Sequence, residues 1–482
     1  MVRTQLKKWN ALGLVPMAYR AKWLLAISSA LLVLRPVYVR AHEVGNVEPL
    51  LWVGYSAPFG NSGVTTYTDV WAEGNLGFIG SLESGVAILD VSGPGNPIPL
   101  GTFVPAIPQQ FYDVKAYGDH GYFSSLNGGG TFVVDVQSPA AASTVAQIDS
   151  SMGGHDNVRN SVIRDDYLYQ INDNSASIHV FDISTPSLPT YVRTVNTADS
   201  VGIYDATVIG DRMYASGLGG TAGEGAVYVY DISNQSIGPP VLLSQIPTGA
   251  NSSSAWPTSN ADYLAVTHRE NGGALGIWDI SNLSQPFLTT SADASDLGLT
   301  SLSSSEVVVY DDIVYTAWWQ AGIQVIDLDN DIINNGVQLI GQLDTSTASP
   351  FAGFVGNQSV FPFLGHDKVL LGDTKLGFLI VSAEYVVPQT PNFGDFNGDG
   401  EYDGLDFLIW QRGFNLFFGA LGSEGNADAD GDVDNDDLLA WQSNYNTTPA
   451  FLAKSSGHIP EPASIMLVAA TCLHYAILHR FR

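Results

Sequence analysis

The sequence predicts a mainly β fold, a seven-bladed β-propeller followed by a small α-helical domain. The first observation behind this prediction is SIHVFDIS (Ser177–Ser184), which alternates apolar and polar residues and runs into a Pro-containing turn. Such alternation is typical of a β-strand, and Pro and Ser between two extended runs are typical of a turn. The second observation is that the stretch recurs, with strand-ending aspartates 45, 47, 49, 48 and 48 residues apart: Asp90, Asp135, Asp182, Asp231, Asp279 and Asp327.

A period in the forties with several short strands per unit indicates propeller blades, because β-helix rungs are shorter and helical repeats show a 3.6-residue periodicity. A degenerate seventh copy, GFLIVSAE, begins at Gly377. The propeller is predicted over residues 42–388, in units at about 69–103, 113–148, 155–195, 203–246, 254–291, 303–343 and 354–386. We expect Leu50–Tyr55 to complete the last blade, because an open ring would leave two unpaired sheet edges.

The repeated aspartates are interpreted as structural, since an Asp at a strand end can accept a hydrogen bond from the amide two residues on. The third strands of the units, such as GVAILDVS from Gly85 and SIHVFDIS from Ser177, resemble the LVIVD repeat family. The resemblance implies the propeller fold and says little about chemistry. Such repeats occur in bacterial surface proteins, including ones with interchangeable C-terminal anchors.

The charge balance excludes one class of partner. The chain of 482 residues carries 48 acidic and 19 basic residues, a net charge of −29. Nucleic-acid binding requires clustered Lys and Arg, so no nucleic-acid partner is expected. The only cysteine, Cys472, lies in the C-terminal tail, so no disulfide can form within one copy.

Both termini carry targeting signals. Residues 1–41 read as a signal peptide, with basic residues before an apolar run (Trp23–Leu34) and a small-x-small cleavage site at Val39–Ala41. After a linker at 447–458, residues 459–482 contain Pro460–Pro462, an apolar stretch and a basic end, and resemble a PEP-CTERM sorting tail. We expect an exported protein, secreted or at the cell surface. It should contact the membrane only through these segments, and a sorting machinery should recognise the tail. An uncleaved N-terminal anchor and an ordinary C-terminal helix are the alternatives.

Residues 389–446 contain two acidic twelve-residue loops, DFNGDGEYDGLD from Asp395 and NADADGDVDNDD from Asn426. Oxygen-bearing side chains at loop positions 1, 3, 5, 9 and 12, a carbonyl at position 7 and Gly at position 6 are the pattern that Ca²⁺ requires. The predicted ligands of two Ca²⁺ ions are Asp395, Asn397, Asp399, Glu401, Asp403 and Asp406 in the first loop, and Asn426, Asp428, Asp430, Asp432, Asp434 and Asp437 in the second.

Each loop leads into a short apolar segment, FLIWQR from Phe407 and LLAWQS from Leu438, which we interpret as a helix. Two loop-and-helix units without a preceding helix resemble a type I dockerin, an EF-hand-loop module. The resemblance implies a cohesin-like partner, or an extracellular-matrix or polysaccharide partner. Asn426 stands where the first position is usually Asp, so a weaker second site is expected. A solvated acidic linker is the alternative.

The propeller sequence contains no recognisable catalytic set, because its histidines are scattered and no HExxH spacing occurs. Polar residues do recur near the starts of the first strands: Asp69, Asp113, Asp156 with His155, Asp205 and Glu306. Since first strands line a propeller channel, these side chains could ring one mouth and hold a cation, with His155 and Asp156 as one candidate pair, or a polar ligand. They could equally be solvated.

Two functions remain open. The first is a non-catalytic, surface-associated binding or scaffold protein whose propeller presents a ligand-binding face. The second is an extracellular carbohydrate-active hydrolase or lyase that uses the channel within a dockerin-attached, polysaccharide-degrading assembly. Fold alone does not decide between them.

Overall fold

The computed structural model describes residues 47–60, 65–197, 200–219, 225–233, 240–249, 251–301, 303–328, 336–345, 354–387, 394–397, 402–414, 422–427 and 433–445. The predicted signal peptide, linker and sorting tail lie outside these residues. The chain divides into two compact units, Met1–Val387 and Pro388–Arg482. Within the described part of the chain, no helix has the length and apolar character that a membrane crossing requires.

The described strands form seven sheets, which are the seven blades. Blades 1 and 2 are β3–β6 (Tyr67–Glu73, Leu76–Ser81, Gly85–Asp90, Ile98–Phe103) and β7–β10 (Phe111–Tyr117, His120–Ser125, Thr131–Asp135, Ser143–Ile148). Blades 3 and 4 are β11–β14 (Asn160–Arg164, Tyr167–Ile171, Ser177–Asp182, Thr190–Asn196) and β15–β18 (Gly202–Ile209, Arg212–Leu218, Ala226–Asp231, Val241–Pro247). Blades 5 and 6 are β19–β22 (Ser252–Pro257, Tyr263–His268, Leu275–Asp279, Phe287–Ala292) and β23–β26 (Val307–Tyr310, Ile313–Ala317, Ile323–Asp327, Leu339–Leu343). Blade 7 contains β27–β29 (Asn357–Phe361, Val369–Asp373, Gly377–Ser382).

The N-terminal strands close the ring. β2 (Leu51–Ser56) pairs antiparallel with β29, with Leu51 opposite Ser382, so the prediction that this segment completes the last blade is confirmed. β1 (Glu48–Pro49) was not anticipated, and it adds a parallel fifth strand to β26 of blade 6. The first strand of each blade contacts the first strand of the next, and β27 contacts β3, so the seven-bladed propeller is confirmed.

The hydrophobic core of the propeller lies between blades. Each adjacent pair of blades shares one apolar cluster; Phe78 and Phe103 of blade 1, for example, pack with Phe111 and Phe123 of blade 2. Because most sheets are covered on both faces, third strands such as β5 and β29 are almost wholly buried. The outermost strands are largely exposed, as β18 illustrates. The apolar blade interfaces therefore hold the ring together without disulfides.

The strand-ending aspartates have the structural role that the sequence predicts. In five repeats the carboxylate accepts a hydrogen bond from the amide two residues on, at 2.8 to 3.0 Å: Asp90 from Ser92, Asp135 from Gln137, Asp182 from Ser184, Asp231 from Ser233 and Asp279 from Ser281. These carboxylates fix the turn between the third and fourth strands.

The C-terminal unit contains two described helices of equal length, α1 (Gly404–Gly413) and α2 (Asn435–Asn444). Phe396, Trp410, Ala427 and Val433 form its buried apolar cluster. Asp403 begins α1 as a capping box, because its side chain accepts from the Leu405 amide while Asp406 accepts from the Asp403 amide.

Candidate functional sites in the channel and the acidic loops

The first strands carry a ring of polar residues around the propeller axis. These residues line a cavity of about 420 Å³ near the strand N-termini, and they include Asp69, Asp113, Asn160, Asp205, Ser253, Glu306 and Gln358. A second cavity of about 630 Å³ extends along the rest of the first strands. Asp69, Asn160, Asp205 and Glu306 line both cavities, so the ring separates the two parts of the channel.

β-Bulges help to shape this ring. The register of β7 against β8 skips Tyr112, and that of β15 against β16 skips Tyr204. The same shift occurs at Ser253 in β19 and at Gln358 in β27. A bulge leaves one residue unpaired and re-aims its side chain, and all four of these residues line the first cavity.

The carboxylates of the ring join one blade to the next. Asp69 accepts from the Val114 amide (3.2 Å), Asp113 from the Ser161 amide and hydroxyl (3.0 and 2.6 Å), and Glu306 from the Val360 amide (3.0 Å). Each donor lies on the first strand of the following blade. These carboxylates are buried or half-buried and accept hydrogen bonds from protein groups, so they are not fully solvated.

One lysine compensates part of this negative charge. Lys115 is buried, donates to Asp69 (2.8 Å) and to Asp113, and lies over the Trp71 ring at 4.9 Å from its centroid. Burial alone would lower the pKa of Lys115, but the Asp113 and Asp69 carboxylates raise it above its usual value. The Lys115 ammonium therefore stays charged, and it lies next to the carboxylates of blades 1 and 2.

Burial raises the pKa of three acids of the ring. It raises the pKa of Asp205 to about 6, with a smaller contribution from Asp69. Burial, together with the charges of Asp69 and Asp205, raises the pKa of Glu306 well above its usual value. Burial also raises the pKa of Asp113 to about 7, although the charge of Lys115 and the hydrogen bonds from Lys115 and Ser161 favour its ionised form.

Two arginines and the two bulge tyrosines meet beside the first cavity, which Arg159, Tyr112 and Tyr204 line. Arg159 Nη2 donates to the hydroxyls of Tyr112 (2.8 Å) and Tyr204, and Arg269 Nη1 donates to the same two oxygens, at 2.8 Å for Tyr112. Arg159 immediately precedes β11, and Arg269 immediately follows β20. Residues of blades 2, 3, 4 and 5 are thus linked across the channel.

Aromatic rings hold the two guanidinium groups. Arg159 stacks on Tyr112 and Tyr204 at 3.7 and 4.1 Å from the ring centroids. Arg269 lies 4.6 and 4.7 Å from the ring centroids of Trp319 and Phe354. Burial alone would raise the pKa of Tyr112, but the charges of Arg159 and Arg269 and their hydrogen bonds lower it below its usual value. The phenol is therefore more acidic than an ordinary tyrosine.

The expectation that His155 and Asp156 belong to the ring is wrong. The first strand of blade 3 begins at Asn160, which takes the ring position and donates to Asp205 at 2.5 Å. His155 instead stacks on His179, with ring centroids 4.0 Å apart, and its Nε2 is bonded to the Ser177 carbonyl. Asp156 accepts from the Ser150 amide. In the part of the chain that the structure describes, no group of three or more His, Cys, Asp or Glu side chains could hold a metal ion.

The two acidic loops share a backbone arrangement around their last aspartate. Asp406 accepts from the amides of Phe396 (2.8 Å), Asn397 (3.2 Å) and Asp403 (2.8 Å). Asp437 accepts from the equivalent amides of Ala427 (2.6 Å) and Asp434 (2.7 Å). Both carboxylates are buried, at 0% and 1% exposure.

The two halves also exchange contacts reciprocally. Trp410 Nε1 donates to the Asp434 carbonyl at 2.8 Å, and Trp441 Nε1 donates to the Asp403 carbonyl at 3.0 Å. Each helix thus fixes position 9 of the other loop. Of the predicted ligands, the described residues include Asp395, Asn397, Asp403, Asp406, Asn426, Asp434 and Asp437, whereas Asp399, Glu401, Asp428, Asp430 and Asp432 lie outside them.

Sequence reasoning missed the arginines and tyrosines of the channel. Tyr112 and Tyr204 occupy bulges, which interrupt the alternation that defines a strand in the sequence. Arg269 reaches the site from the end of a second strand, and Arg159 from the residue before a first strand. The chain has only 19 basic residues, but Arg164 and Arg212 also lie at strand ends, so the sequence does not single out Arg159 and Arg269.

Comparison with known proteins agrees with this architecture. The family model described as LVIVD repeat matches residues 66–104, 157–197 and 262–294, which are blade 1, blade 3 and most of blade 5. A search of curated proteins finds no match.

Several solved structures are similar at low sequence identity. The computationally designed Ika8 protein is 11% identical with a TM-score of 0.46, covering 68% of this chain and 99% of that one. Hydrazine synthase of Kuenenia stuttgartiensis is 15% identical with a TM-score of 0.49, covering 72% and 99%. BamB from Moraxella catarrhalis is 13% identical with a TM-score of 0.42, covering 65% and 81%. The sheet topology and the matched repeats show that the chain is a seven-bladed β-propeller that contains LVIVD repeats.

Proposed function

We propose that this protein is an exported, surface-associated binding or scaffold protein whose propeller holds a polar ligand at the channel axis. The observation that carries the proposal is the channel cavity lined by convergent polar side chains. Ligand sites are typically concave and carry a few placed polar groups. The predicted signal peptide and sorting tail supply the reason for export.

The C-terminal unit would bind two Ca²⁺ ions in this proposal. Its loops offer only oxygen donors, which suits a hard cation. Both last aspartates are buried and accept from the backbone amide of the second loop residue, so the described ends of each loop lie around a carboxylate. A carboxylate has about four acceptor positions. Three backbone amides donate to Asp406, which leaves one of its positions for a cation. The second loop, with Asn426 at its first position, would bind less tightly. A cohesin-like, matrix or polysaccharide partner would dock on this unit.

Tyr112 favours one second candidate, a lyase acting on an acidic polysaccharide. A phenol with a lowered pKa beside two guanidinium groups could remove the proton from the carbon next to a carboxylate. As the C=C bond forms and the glycosidic C–O bond breaks, neutral Glu306 in the same cavity could protonate the leaving oxygen. Arg159 and Arg269 would neutralise the carboxylate.

A glycan-binding screen on the full-length protein, with and without Ca²⁺ and with product analysis, tests both candidates. We expect saturable binding to an acidic glycan without turnover. Release of unsaturated oligosaccharides would replace the binding role with the lyase. Absence of binding to every glycan, matrix component and surface extract would contradict the proposal.

A further inference from the structure

The arginine pair of the channel carries a positive charge that the described residues hardly balance. Arg159 has Asp173 at 3.8 Å, a long ion pair. Among the described residues, no carboxylate oxygen lies within 4 Å of the Arg269 guanidinium. Both groups donate to the same two phenol oxygens, so two like charges are held close together. In a chain with a net charge of −29, such a pair is a local exception.

Each guanidinium uses one nitrogen, Nη2 of Arg159 and Nη1 of Arg269, to donate to the tyrosine hydroxyls. A guanidinium has five N–H donors in a planar fork. Tyr112, Tyr204, Trp319 and Phe354 contact the faces of the two groups rather than neutralising them. Arg159 is only 9% exposed, and its Nε has no hydrogen-bond partner among the described residues. A buried donor without an acceptor is a position at which a bound water or an anionic group would find a partner.

Two further polar atoms of the same cavity are buried without a hydrogen-bond partner in the described part of the chain. They are Asn160 Oδ1, an acceptor, and Ser359 Oγ, which can donate and accept. Below them lie the ring carboxyl groups Asp69, Asp205 and Glu306, which accept hydrogen bonds from hydroxyls. The cavity therefore combines an anion-binding end with an acceptor-rich wall.

We propose that this end of the channel binds an acidic sugar, a hydroxylated ring that carries a carboxylate. The carboxylate lies against Arg159 and Arg269, and the ring hydroxyls donate to Asn160 and the carboxyl groups. The inference rests on the proposed function, because it names the ligand class of the propeller.

Isothermal titration calorimetry on the full-length protein tests the assignment with three probes: D-galacturonate, D-galactose and inorganic phosphate. We expect galacturonate to bind. Galactose lacks the carboxylate and phosphate lacks the hydroxylated ring, so each should bind at least about tenfold more weakly. Arg269→Gln should weaken galacturonate binding about 10- to 100-fold, as expected for a lost charge-assisted hydrogen bond.

The matched control is Arg164→Gln. Arg164 lies at the far end of β11, is 38% exposed and pairs with Asp165 at 3.1 Å, so its loss should leave galacturonate binding unchanged. Arg269→Lys keeps the charge but loses the planar fork, and an intermediate loss is expected. If calorimetry shows that Arg269→Gln is unfolded, Arg269→Lys becomes the deciding variant.

Equal affinity for galactose and galacturonate, equal affinity for phosphate, or unchanged affinity in both Arg269 variants would overturn the assignment. A glycan that binds the protein regardless of Arg269 would contradict the acidic-sugar assignment and leave the proposed binding function intact. If no ligand binds, both the assignment and the proposed function are wrong.

Discussion

Replacing Asp205 with Asn should stabilise the propeller at neutral and alkaline pH. Asp205 is buried, accepts from Asn160 (2.5 Å) and from the Ala206 amide (2.7 Å) through Oδ1, and shares the channel with Asp69 and Glu306. An asparagine can keep Oδ1 as the acceptor of both bonds while removing the charge. Its amide group also offers a donor to the Ser254 hydroxyl, which now donates to the carboxylate.

The magnitude follows from the pKa of Asp205. Burial raises it from 3.8 to about 6 in the folded protein. For a group whose pKa is raised by folding, stability is greatest below the unfolded pKa and falls as the pH rises through the folded pKa. About two pKa units correspond to about 3 kcal/mol of lost stability at pH 8 and to about half of that at pH 5. Asp205→Asn should therefore recover up to about 3 kcal/mol at pH 8.

The assay is differential scanning calorimetry of the full-length protein, with the propeller transition compared at pH 5 and pH 8. Asp90→Asn is the control with the opposite sign, because hydrogen bonds from Ser92 lower the pKa of this exposed carboxyl and its charge is therefore favourable at pH 8. A variant Asp205→Asn that melts below the wild type at pH 8, or whose effect does not depend on pH, would refute the reasoning.

Three further outcomes are expected. Chelation of Ca²⁺ should unfold the C-terminal unit without changing the melting temperature of the propeller, and a lowered propeller melting temperature would contradict this division. Asp437→Asn should remove one of the two sites in a calcium titration. Trp410→Phe and Trp441→Phe should each destabilise the C-terminal unit by about 1 kcal/mol in urea unfolding, because each removes one indole hydrogen bond to the other loop. Strongly unequal effects would contradict the reciprocal arrangement. Gly322→Ala should cost more than about 2 kcal/mol, since φ is +73° and a Cβ would lie 1.9 Å from the Leu343 carbonyl oxygen, whereas Gly93→Ala, with open space around it, should be close to neutral.

The propeller could be predicted from the sequence because its signals are local and repeated. The Asp182 turn involves residues two apart, and a period near 48 follows from counting. The closure by Leu50–Tyr55 followed from the general cost of free sheet edges. The parallel pairing of β1 with blade 6 could not be predicted, because two residues carry no pattern and their partner lies almost 300 positions away.

The channel site was only partly predictable. Asp69, Asp113, Asp205 and Glu306 were named because they open apolar runs, but their burial depends on neighbouring blades. His155 and Asp156 were misplaced by a few residues, since the start of β11 is set by pairing with β12 and not by polarity. Arg159 and Arg269 lie 110 positions apart and meet only when the ring closes.

The most direct test of the binding role assigned to the channel is a crystal structure of the full-length protein grown with D-galacturonate. We expect electron density for one sugar in the channel cavity, with its carboxylate within hydrogen-bond distance of Arg159 or Arg269. A sugar bound elsewhere on the protein, or one whose carboxylate points away from both arginines, would contradict it.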